Sequence, residues 1–134
     1  MGCSGVGSFD NDDALDWLDD LFALDQPSVQ FVRSTFDQVL PPVAQLDRRN
    51  CCYALAAADF LTFALGRGLA SERFDCIQAT ADRLSNPVSD ELIATAIRAV
   101  RAVQGESTLS ELWEGDPEWH ADVTGLIQRL RPSA

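Results

Sequence analysis

The run from Cys51 to Leu65 is the segment that most restricts this chain. Only Asp59 and Thr62 are clearly polar within it, so a helix formed here is apolar on every side. Such a helix must be surrounded by others rather than laid on a surface. Asp47 is placed to cap its start, and Gly66 and Gly68 to end it. No stretch of the chain shows sustained strand alternation between hairpin turn signals, so the expected class is all-α.

The remaining punctuation predicts the neighbours. A first helix opens near Asp10 or Asn11, with Leu15, Leu18, Leu21 and Phe22 as one buried stripe that Trp17 widens. Asp25 and Pro27 open a second, in which Val29, Val32, Phe36, Val39 and Leu40 share a face until Pro41-Pro42. A shorter helix spans about Phe74 to Leu84 and is broken at Asn86-Pro87. Ser89 caps the next, with Val88 and Ile93 as a hydrophobic staple, Leu92, Ala96, Val100 and Val103 as its buried face, and Gly105 as its end. Thr108 and Glu111 have capping-box spacing ahead of Leu112 and Trp113. Gly115, Asp116 and Pro117 then open a last helix carrying Trp119, Val123, Leu126, Ile127 and Leu130. With 134 residues and no internal repeat, these pieces make one domain. The expected architecture is a compact bundle of about six helices around Cys51 to Leu65, preceded by a Gly-rich arm over residues 1–9.

Charge excludes several classes of function. Ten Arg, no Lys and twenty-one acids give a formal charge of -11, which opposes phosphate tracking, so no nucleic acid is expected as a direct ligand. Without any Lys, nucleotide binding of the P-loop kind is excluded as well. The opening Met1-Gly2-Cys3 is followed by Val6 where the myristoylation pattern needs Ser or Thr, and no apolar run is long enough to span a membrane. The expected location is the cytoplasm, away from membranes. There Cys3, Cys51, Cys52 and Cys76 are reduced, and no spacing among them and the single His120 makes a zinc site. No cofactor is expected.

Acid is concentrated at the front: Asp10, Asp12, Asp13, Asp16, Asp19, Asp20 and Asp25 all precede the first base, Arg33. On a helix, Asp12 and Asp16, Asp13 and Asp16, and Asp16 and Asp20 are like-charge neighbours, each costing about 0.2 to 0.5 kcal/mol. Asp19 and Asp20 also oppose the helix dipole at its C-terminal end. A solvated face explains such a run in part, but its confinement to one element fits a surface of Asp12, Asp13, Asp16, Asp19 and Asp20 that meets a basic protein partner. The calcium alternative lacks the Asp-x-Asp-x-Asp-Gly loop.

Asp59 is the second candidate, because a carboxylate in an apolar helix must be paired, hydrogen-bonded or protonated. Arg98 and Arg101, one turn apart, are its candidate partners. Nucleophilic catalysis has thin support, since His120 is the only imidazole available as a base, and no catalytic residue is assigned.

The segment Gly5-Val6-Gly7-Ser8-Phe9-Asp10-Asn11-Asp12-Asp13-Ala14-Leu15-Asp16-Trp17 resembles the opening of a bacterial domain-of-unknown-function family, number 4259. The likeness continues through Ala54 to Asp59 and Leu109 to Glu114, and departs at Cys3-Ser4, where the family commonly has Thr-Trp. The resemblance implies a signature of Phe9, Asn11, Asp12, Ala14 and Trp17. It supplies no reaction, ligand or catalytic residue.

The leading expectation is therefore a non-enzymatic interaction protein whose acidic first helix meets a basic partner, in the manner of small acidic immunity proteins or antitoxins. One alternative is a metal-dependent enzyme or metal-binding protein using Asp12, Asp13 and Asp16, with Asp59. Another is a structural homo-oligomer.

Overall fold

A computed structural model describes residues 12–24, 28–41, 46–66, 75–84, 88–106 and 116–131. Among them lie six helices and no strand: α1 (Asp12–Phe22), α2 (Val29–Asp37), α3 (Arg48–Ala64), α4 (Asp75–Asp82), α5 (Asp90–Glu106) and α6 (Pro117–Leu130). The arm over residues 1–9, the Thr108 to Glu111 capping box, Trp113, Gly68 and Gly115 lie outside the described residues. So do Phe9 and Asn11 of the signature.

As the Cys51 to Leu65 run demands, α3 is the central helix and packs against α1, α2, α4, α5 and α6. Cys51, Cys52 and every residue from Ala54 to Phe63 are buried. Asp47 caps the helix, accepting from Asn50 N at 2.9 Å. At the other end, Gly66 takes φ of 75°, a left-handed conformation in which a β-carbon is strained, and donates to Phe63 O at 3.0 Å. The same carbonyl accepts from Gln78 Nε2 of α4 at 3.1 Å, so α4 helps satisfy the end of α3.

The outer helices show where local signals were decisive. Ser89 caps α5, with Leu92 N donating to its Oγ at 3.1 Å, and Val88 packs against the core. Asp116 caps α6, accepting from Glu118 N and Trp119 N, with Pro117 in the first turn. Three expectations change, the first being that α2 ends at Asp37 and does not reach Pro41-Pro42 as a helix. The second helix is capped by Ser28, not opened at Asp25 and Pro27, because the Ser28 hydroxyl accepts from Phe31 N at 3.2 Å and satisfies an otherwise orphaned amide. The fifth does not stop at Gly105 but runs through it to Glu106. A β-carbon at Gly105 would meet nothing within 4 Å, so this glycine is neither a tight turn nor a close approach.

Buried side chains from all six helices join one cluster, from Ala14 and Trp17 of α1 to Leu130 of α6. Cys51 and Cys52 are buried within it. No helix among the described residues is long and apolar enough to cross a membrane.

Candidate functional site

Helix α1 has two unlike faces. Ala14, Trp17, Leu18 and Leu21 are buried, and the Trp17 ring lies 6.0 Å edge-on from Phe60 of α3 and 5.6 Å from Phe31 of α2. Its indole Nε1 donates to Thr35 Oγ1 at 2.9 Å, so the polar tip of this large side chain is satisfied inside the bundle. Ala14 and Trp17 thus act as core. Their place in the signature has a packing explanation.

Leu15 and Phe22 were expected in the buried stripe and are not in it: they expose 44% and 41% of their surface. The reason is helical phase. Each follows a core residue, Ala14 and Leu21, and so stands about 100° further round the helix. Because Leu15 and Phe22 are seven residues apart, they line the same edge, and they are the large hydrophobic side chains exposed among the described residues. Beside them, Asp12, Asp16, Asp19 and Asp20 are all exposed.

Asp13 departs from this group. It turns inward, 9% exposed, and its Oδ2 lies 3.5 Å from Arg48 Nε of α3. That oxygen accepts no hydrogen bond, so the pairing is electrostatic and loose. Asp13 therefore joins α1 to α3 and is no part of the exposed acidic face. Next to it, Tyr53 of α3 has its phenol held above the ordinary value of 10.0. Partial desolvation is the main cause; the guanidinium of Arg49 acts in the opposite sense, and the carboxylates of Asp13, Asp16 and Asp20 reinforce the rise. Asp13 thus faces Arg48 where α3 opens, and Tyr53 feels both Arg49 and the α1 acids Asp13, Asp16 and Asp20. Sequence reading missed these two arginines; their position one helical turn before Cys52 and Tyr53 was the available signal.

Asp59 is buried, as an acid in this helix must be if the run is central. Its partner is Arg129 of α6, not Arg98 or Arg101: Arg129 Nη1 donates to Asp59 Oδ1 at 2.9 Å, with the side chains 19% and 6% exposed. Arg98 and Arg101 are both exposed on α5. Thr62 Oγ1 lies 2.8 Å from Asp59 Oδ1 and 2.6 Å from the Asp59 carbonyl, so its one proton is shared between the two acceptors. A carboxylate anchored by a guanidinium and a hydroxyl is equipped to hold helices together. Among the described residues, no group of three or more His, Cys, Asp or Glu side chains is placed to hold a metal ion. His120 stacks edge-on against its neighbour Trp119 at 4.9 Å.

Comparison with known proteins gives a family and no activity. The model of a family described as Domain of unknown function (DUF4259) matches residues 2–122. No curated protein and no solved structure matches the chain.

Proposed function

The chain belongs to the DUF4259 family, and from that premise we propose that it is a non-enzymatic interaction module whose helix α1 meets a basic protein partner. The observation that carries this reading is the composition of the outer face of α1. Asp12, Asp16, Asp19 and Asp20 are exposed there, and the same helix holds both of the large hydrophobic side chains exposed among the described residues, Leu15 and Phe22. A face that served only solubility would gain from the acids and lose from the two apolar groups. Together they make a surface with charge to steer an encounter and apolar area to hold it. The closest functional analogy is a small acidic immunity protein or antitoxin that neutralises a basic target.

The test is association in the native host. The chain and a variant carrying Asp12→Asn, Asp16→Asn, Asp19→Asn and Asp20→Asn are used as bait at low and high salt, and the partner is then purified and titrated against both. A basic protein that binds the parent chain, weakens as screening shortens the Debye length to about 8 Å, and loses affinity for the variant is the expected result. Equal binding of parent and variant at both salt concentrations overturns the proposal.

A further inference from the structure

We infer that the occupant of the α1 face is itself a basic amphipathic helix, which lays apolar side chains against Leu15 and Phe22 and sets Arg or Lys beside Asp12 and Asp19. The inference rests on the interaction reading above and specifies the partner's chemistry. Leu15 and Phe22 are separated by seven residues, about 10.5 Å along the axis at 1.5 Å per residue, and by only about 20° in azimuth. That is the spacing of equivalent positions in successive heptads, so a partner helix with its own apolar residues every seven meets both anchors at once. With Leu15 and Phe22 taken as a positions, the exposed Asp12 and Asp19 fall at e, on one side of this line, where charged residues beside a helix-helix seam stand.

Other occupants fit less well. An extended peptide gains most of its affinity by hydrogen-bonding to a free sheet edge, and the backbone of α1 is already committed to helical hydrogen bonds, as in Ala23 N to Asp19 O at 3.0 Å. A second copy presenting the same face would place Asp12, Asp16, Asp19 and Asp20 against their own equivalents, with no base on α1 to relieve them. Anionic lipid and nucleic acid are repelled by the same charge.

Two synthetic peptides of about 21 residues test this on the full-length chain. Both contain Leu and Arg in equal numbers; in one the leucines share a helical face, in the other the same residues are shuffled so that they do not. The isotope-labelled protein is titrated with each at about 50 mM salt and about 300 mM salt, following the α1 amides by NMR. The expected result is saturable shifts over residues 12–22 with the amphipathic peptide and about tenfold or weaker binding of the shuffled one. The affinity for the amphipathic peptide should fall about tenfold in the Leu15→Ser, Phe22→Ser variant and again at higher salt. Both substituted side chains are exposed, and an unchanged melting temperature shows that the variant is folded. Equal affinity for the two peptides, or indifference to the Leu15 and Phe22 substitutions, overturns the helical partner while leaving a charge-driven interaction standing. Absence of α1 shifts with either peptide at low salt overturns both readings.

Discussion

Arg129 and Asp59 stand seventy positions apart in the sequence and 2.9 Å apart in the fold, where the guanidinium Nη1 donates to a carboxylate Oδ1 buried in the wall of α3. The contact fixes α6 against the central helix. Removing the cation leaves a buried carboxylate with only the shared Thr62 proton, so Arg129→Met is expected to lower unfolding free energy by about 3 to 5 kcal/mol. Replacing both members by apolar residues, Asp59→Leu with Arg129→Met, removes the uncompensated charge and should cost less than either single change. Urea denaturation of the three variants measures the difference; additive losses would contradict the pairing.

The Trp17 indole makes a smaller version of the same demand. Thr35 Oγ1 accepts from it and lies 3.1 Å from the Phe31 carbonyl, to which its hydroxyl proton is donated. Thr35→Val keeps the shape and deletes the acceptor, so it should destabilise the fold by about 1 to 3 kcal/mol through an unpaired buried N–H. In Trp17→Phe, which has no such group, the same Thr35 change should cost distinctly less, and denaturant midpoints for the pair decide it.

Tyr53 is the chain's only tyrosine, so its phenolate absorbance reports one site. Its titration should have a midpoint above 10.0, chiefly because burial disfavours the phenolate. Asp16→Asn and Asp20→Asn should each move the midpoint down, and Arg49→Gln should move it further up. A raised folded value means the unfolded chain loses this proton first. The stability that Tyr53 contributes is therefore fully present below its unfolded value and is lost as pH rises through the folded one. A midpoint that ignores Asp16, Asp20 and Arg49 would show that these charges are not near the ring.

Asp13 and Asp19 lie on one helix and should respond in opposite directions to the same chemistry. Asp13→Asn weakens the approach to Arg48, and with that arginine half exposed the loss should be about 1 kcal/mol. Asp19→Asn relieves an acid near the helix C-terminus and its Asp16 neighbour three positions back, so stability should hold or rise by about 0.3 to 1 kcal/mol. Thermal and urea unfolding at low salt measure both. Equal losses would mean that Asp19 has a structural partner.

How much of this could be read from residue order varies with the range of the force involved. Asp47, Ser89, Asp116, Pro117 and Gly66 act within one helical turn, and their roles were legible because the amides and carbonyls served there lie two or three positions away. Ser28 was passed over in favour of Asp25 and Pro27, although the competition among adjacent capping residues is equally local. The centrality of α3 was also legible, since an apolar circumference leaves no side for water.

Residue order by itself thus determined an all-helical bundle, its central element, the caps that open α3, α5 and α6, and the fact that Asp59 needed a partner. Tertiary structure decided which partner that was, which side of α1 meets the core, and that Asp13 turns in toward Arg48. The physical reason is that a side chain's phase on one helix is fixed by its own spacing, whereas its neighbours are fixed by how several helices cross. Arg98, Arg101 and Arg129 all lie on helices that pack against α3, and only the crossing of α6 brings a guanidinium to Asp59.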